Sequence, residues 1–143
     1  MKKKQHYGNH TRLSKSFHGF TLPALLVLVI GVIRNIIYST EENRYDAWLL
    51  LLVTILLGSL YYHSRIFALK VQDRAIVTDV KLRHFILTGK PLPEGLRTQQ
   101  IIALRFASDE ELPALIERAL DEKLSNKEIK KQIRKWKGDY RRV

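Results

Sequence analysis

Few residues in this chain have the types and spacing that chemistry needs. His6 and His10 stand four apart, a spacing that puts two imidazoles on one helical face and suits a metal. The arm around them is not convincingly helical, and a third and fourth ligand would have to come from elsewhere, so no metal is expected. With no cysteine in the chain, thiol catalysis, disulfides and cysteine-bound zinc are excluded. There is no glycine-rich phosphate loop, no nucleophile elbow and no paired-histidine motif with a glutamate. His63 and His84 stand alone and read as interfacial or surface groups. The acidic run Asp109, Glu110 and Glu111 opens a helix, where the macrodipole favours negative charge without any acid–base role. No catalytic residue and no cofactor is expected, and the reading is of a non-enzymatic protein.

Two clusters suggest binding rather than catalysis. Lys70, Gln72, Asp73 and Arg74 gather after a long apolar run and, with Arg105 and the Ser108 region, would form a polar socket. The structural alternative is that Asp73 and Arg105 fasten one helix to another. The second cluster is the basic patch Lys127, Lys130, Lys131, Arg134, Lys135 and Lys137, followed by Arg141 and Arg142. Read as one helix with Trp136 on its apolar side, it would lie on anionic lipid head groups. A solvated helix face is the plainer alternative. Nucleic acid is disfavoured, because the patch lacks aromatic residues interleaved for base stacking.

The elements that must position these clusters begin with two apolar runs, Phe20 to Ile33 and Ala47 to Tyr62. A span needs about 20 residues to cross a hydrocarbon core of about 30 Å, and Phe20 to Tyr38 nearly supplies them. Pro23 falls near its start, where a missing N–H matters least. Arg34 lies near the far end, where its stem reaches the head groups. The link Ser39 to Asp46 is short enough to make the two helices antiparallel neighbours. Folding about it sets Gly31 level with Gly58 and Asn35 level with Thr54. That would be a seam of close approach with an amide–hydroxyl bond across it. An uncleaved first span is preferred to a signal peptide, since the arm is long and no small-residue cleavage pattern follows.

Charge orients the pair. The 143 residues carry 25 Lys and Arg against 14 Asp and Glu, a net +11. Lys2, Lys3, Lys4, Arg12 and Lys15 precede the first run, and Arg65, Lys70, Arg74, Lys81 and Arg83 follow the second. The link holds Glu41, Glu42 and Asp46 against Arg44. The bias of Lys and Arg towards the cytoplasm puts both termini inside and the link outside. Aromatic residues mark the boundaries, with Phe17, Phe20, Tyr61 and Tyr62 at one side and Tyr38, Tyr45 and Trp48 at the other.

Beyond Arg65 no helix breaker occurs before Gly89, and Ile66, Leu69, Ile76, Val80 and Leu87 keep a helical stripe. The second span therefore continues as a stalk, with Asp79 and Arg83 spaced as an i, i+4 pair. After the loop Gly89 to Gly95 come three short helices: Thr98 to Ala107, one opened by a Ser108–Glu111 capping box, and one opened by a Ser125–Glu128 box and ending near Gly138. The fold class is all-α. A basic arm (1–19) leads to a transmembrane helical hairpin (20–66), whose second helix extends into a cytoplasmic helical tail ending in a small bundle (67–143).

Several blocks carry a resemblance: Asn9-His10-Thr11-Arg12, Phe67-Ala-Leu-Lys-Val-Gln-Asp-Arg74, Leu104-Arg-Phe-Ala-Ser-Asp-Glu-Glu-Leu112, Lys127-Glu-Ile-Lys130, Trp136 and Asp139-Tyr-Arg-Arg-Val143. On these the chain resembles an uncharacterised family of small bacterial two-span membrane proteins bearing a domain-of-unknown-function label. The resemblance implies an integral protein of the bacterial inner membrane and brings no catalytic residues with it. The partners expected are the lipid bilayer, anionic head groups, and an unknown protein partner or a second copy of the chain. A competing reading is an accessory or regulatory subunit of a membrane transport or enzyme complex, with Arg34 and the Phe67–Arg74 block at the shared interface.

Overall fold

The computed structural model describes residues 6–8 and 16–139. Apart from one isolated bridge between Ala107 and Trp136, the regular structure among these residues is helical. One π-helical turn, Phe17–Thr21, leads into α1 (Leu22–Tyr38). Then follow α2 (Arg44–Thr88), α3 (Thr98–Leu104), α4 (Leu112–Asp121) and α5 (Asn126–Gln132). The chain divides into two compact units, one of α1 with α2 as far as Ala68, the other of α2 from Leu69 together with α3 to α5. His10, the lysines of the arm, and Arg141 and Arg142 lie outside the described residues, as do the whole first resemblance block, Asn9 to Arg12, and the last block beyond Asp139.

In the first unit, Pro23 explains the opening turn. Its ring would clash with the carbonyl four residues back, and the wider turn before it moves that carbonyl aside. The Leu22 N–H accordingly reaches the Phe17 carbonyl, and the Thr21 hydroxyl donates to the Ser16 carbonyl at 3.2 Å. At the other end of α1, Ser39 turns extended and its hydroxyl donates to the Ile36 carbonyl, occupying one of the acceptors a helix end leaves over. The Asn43 N–H donates to the Thr40 carbonyl, and Arg44 pairs with Glu41 at 3.0 Å, so the chain reverses within a few residues. The helical run Phe17–Tyr38 has 22 residues and α2 has 45, and both are long and apolar enough to cross a membrane.

In the second unit α2 supplies one wall of a core. Val80 is fully buried, with Ile76 and Val77 beside it, against Leu104, Phe106, Leu112, Ile116 and Ile129. Gly89 and Gly95 take positive φ, of 70° and 101°, in the loop that turns the chain back from α2; a side chain at either would be strained. Gln100 ties the start of α3 to the connection between α4 and α5: its carbonyl oxygen accepts from the Arg97 N–H at 2.7 Å and its amide donates to the Leu124 carbonyl at 2.8 Å.

Two helices end earlier than periodicity implies. The stripe through Phe106 predicts α3 to Ala107, but α3 stops at Leu104 and Phe106 is buried from a turn. Ile133 and Trp136 predict α5 to Gly138, but Ile133 is extended and the following residues run beside Ala107, with the Lys137 N–H donating to the Phe106 carbonyl at 2.8 Å. An apolar residue every third or fourth position is satisfied equally by a short helix followed by an extended strap, provided both bury the same residues.

Candidate functional site

The second unit holds an open cleft of about 860 Å³. One side is a row along α2, in which Gln72, Ala75, Ile76, Asp79, Leu82, Arg83, Ile86 and Leu87 recur at three- and four-residue steps. The other side is Arg105 and Asp109 with the strap Lys137, Gly138 and Asp139.

Arg83 is the centre of this arrangement. Its side chain is 11 % exposed. The guanidinium pairs with Asp109, and it also donates to the Ala107 carbonyl at 2.6 Å and the Arg105 carbonyl at 3.4 Å. These carbonyls follow the end of α3, where acceptors are left over and a cation is favoured. The sequence pairs Arg83 with Asp79 on its own helix; the structure turns it towards the tail, where one planar fork satisfies a carboxylate and two carbonyls together.

Arg105 is more deeply placed, its side chain 8 % exposed. Its Nε lies 3.2 Å from Asp139, and its guanidinium carbon sits 4.4 Å from the centre of the Phe106 ring, an attractive stacking for a weakly hydrated cation. Asp109 also receives Lys137 at 3.3 Å. The Arg83 hydrogen bond, with added attraction from Lys137, holds the Asp109 carboxyl below its ordinary pKa of 3.8.

Glu111 has an unexpected task. Ser108 does accept from the Glu111 N–H at 3.3 Å, but the Glu111 carboxylate does not return to close a capping box. It accepts instead from the backbone N–H groups of Arg134 and Lys135, each at 3.2 Å. Lys135 pairs with Glu110, which raises the lysine pKa. The run 109–111 therefore clamps the strap. The second box closes in both directions: the Ser125 N–H donates to Glu128 at 2.7 Å and Ser125 accepts from the Glu128 N–H at 3.3 Å. Hydrogen bonding to its carboxylate from the Ser125 side chain and from the Ser125 N–H lowers the Glu128 pKa.

The expected polar socket is assembled only in part. Gln72, Arg105 and Asp109 line the cleft, whereas Lys70, Asp73 and Arg74 project from other sides of α2. The alternative fastening of Asp73 to Arg105 is replaced by Arg105 with Asp139 and Arg83 with Asp109. The basic patch is likewise divided. Lys135 and Lys137 are engaged by Glu110 and Asp109, Lys130 lies over the Phe106 ring, and Lys127, Lys131 and Arg134 are exposed. His84, read as a surface group, is 6 % exposed and shares a hydrogen bond of 3.1 Å with the Lys90 carbonyl. Arg83 and Asp139 meet partners far away in the chain, Asp109 and Arg105, and no local spacing points to either pair; the match between the acids at 109–111 and the bases at 134–137 signals only the clamp on the strap.

In the first unit the contact between α1 and α2 involves Val32 and Thr54, both buried, with Gly58 half-buried; Leu25, Val29, Leu51 and Ile55 line the same crevice. Gly31 and Asn35 are exposed on α1. The Thr54 hydroxyl donates to the Leu50 carbonyl on its own helix at 2.8 Å, so no amide is needed across the seam. Phe17 stacks on Tyr61 with ring centres 4.1 Å apart, and Arg65 lies 5.4 Å from the same Phe17 ring centre. Among the described residues no group of three or more His, Cys, Asp or Glu side chains is arranged to hold a metal ion.

Comparison with known proteins yields one match. The family of unknown function DUF6526 matches residues 1–143, and the chain belongs to that family. No curated protein and no solved structure matches.

Proposed function

We propose that this member of the DUF6526 family is an integral protein of the bacterial inner membrane, anchored by the α1–α2 hairpin, with the link outside and both termini in the cytoplasm. The observation that carries the reading is where the apolar side chains point. Val27, Ile30 and Ile37 on α1 and Leu52, Leu56 and Leu60 on α2 are all more than half exposed. Water would not tolerate that much contiguous apolar surface, and a bilayer removes the cost. The charge bias of the flanks sets the orientation.

The tail is a non-enzymatic binding module. Its charged groups are spent on holding the strap to the rest of the unit rather than poised for proton transfer, and the cleft opposes three basic residues, Arg83, Arg105 and Lys137, with three acidic ones, Asp79, Asp109 and Asp139. Such a surface suits a protein partner better than a bare anion. Carbonate extraction of native membranes tests the anchor: the full chain should stay in the pellet, and its release to the supernatant would refute it.

A further inference from the structure

On α2, the residues that pack on the tail lie on one side: Ile76, Val77, Val80 and His84. A second side has a pattern of its own, and its Ala75, Asp79, Leu82 and Ile86 also border the cleft. Val71, Ala75, Thr78, Leu82 and Phe85 follow at steps of four, three, four and three residues, and all are exposed, Val71 at 68 %, Leu82 at 57 % and Phe85 at 53 %. That is the seam of a two-stranded coiled coil, with Ala75 and Leu82 at a and Val71, Thr78 and Phe85 at d. Arg74 falls at the g position on one flank and Asp79 at the e position on the other. In a parallel pair, a g residue faces the e residue five further along the partner helix, and 74 to 79 is that interval. Arg74 of each copy would meet Asp79 of the other twice, by symmetry. The next g residue, Lys81, would lay its stem over Ile86, which is 72 % exposed at the following e position.

We propose that this face joins two copies of the chain as a parallel homodimer through α2. The inference rests on the membrane reading in one respect: two copies with the same topology in one bilayer have parallel α2 helices. Anchoring also raises their effective concentration, so a seam of about two heptads suffices where a free peptide needs three or four. Charge complementarity selects a second copy over an unrelated protein, because the same helix carries both halves of the pair.

The test uses the absence of native cysteine, so that single cysteines are unambiguous. The full-length protein in native membranes carries Thr78→Cys, or as control Glu117→Cys on the exposed face of α4. Under oxidation, Thr78→Cys should give a disulfide dimer and Glu117→Cys should not. In the Thr78→Cys background, Arg74→Glu or Asp79→Arg alone should lower the dimer association about tenfold, and the two together should restore it. A Thr78→Cys protein that remains in the carbonate pellet yet cross-links no more than the control overturns the dimer and leaves the anchor standing. Equal cross-linking in the single and double reversals overturns the parallel register. Release of the protein by carbonate overturns the anchor and the dimer together.

Discussion

The two units use apolar residues in opposite ways. In the hairpin unit, leucine, isoleucine and valine point outward along both helices, and Val32 and Ala47 are its only buried apolar residues among those described. In the tail unit, residues of the same kinds form a closed core from Val80 to Ile133. Charged residues are sparse in the hairpin and frequent in the tail, and the apolar side chains are placed accordingly. On the membrane function proposed above, a surface that lipid covers gains nothing from being buried against protein, and one narrow contact suffices for the hairpin. A small module in water must bury its apolar groups, and it recruits the end of α2 to do so.

The largest expected effect follows directly. Phe106→Ala removes a fully buried ring from the tail core and should destabilise that unit by about 3–5 kcal/mol in chemical denaturation of the detergent-solubilised protein. Ile30→Ala, an equal kind of truncation on the outward face of α1, should leave the same transition within about 0.5 kcal/mol. Comparable losses at both sites would erase the distinction between the units. Next in size, Arg83→Met removes an ion pair and two carbonyl contacts together, and should cost about 2–3 kcal/mol. Asp109→Asn, whose side chain is half exposed, should cost about 1 kcal/mol or less. Ser125→Ala should cost about 1 kcal/mol through loss of the cap on α5, while hairpin properties stay unchanged.

The acid dependence sharpens the same contrast. Asp109 is depressed in the folded tail, so its contribution is present above its ordinary pKa of 3.8 and is lost as pH falls through that value towards the folded one. Lys135 is raised, so its contribution is present below 10.5 and is lost as pH climbs above that. The tail should loosen at both extremes. Asp109→Asn should flatten the acid limb alone, which a pH series of thermal melts reads directly.

Long, strongly patterned elements were legible in the sequence. The two apolar runs mark α1 and α2, and the absence of a breaker between Arg65 and Gly89 marks the continuation of α2. The Ser125–Glu128 box marks the start of α5, because both of its bonds are local. The cleft was not legible, because its bonds join residues far apart in the chain. Glu111 looks like a capping residue until the strap arrives to take its oxygens. Arg83 looks like a partner for Asp79 until the end of α3 offers it two carbonyls and a carboxylate. Helix ends were missed for a related reason: Phe106 and Trp136 keep a helical spacing, but they meet ring to ring, 4.9 Å apart, from outside any helix. Thr54 shows the limit of aligning small and polar residues across a hairpin, since its own helix supplied the acceptor.

The proposed function makes the hairpin the anchor, with its link outside and both termini in the cytoplasm. The most direct measurement is cysteine labelling in intact cells with a membrane-impermeant maleimide, comparing Asn43→Cys in the link with Glu117→Cys in the tail. The account predicts that position 43 is labelled in intact cells and position 117 only after permeabilisation. Labelling of position 117 in intact cells, or of neither position until the cells are opened, would contradict it.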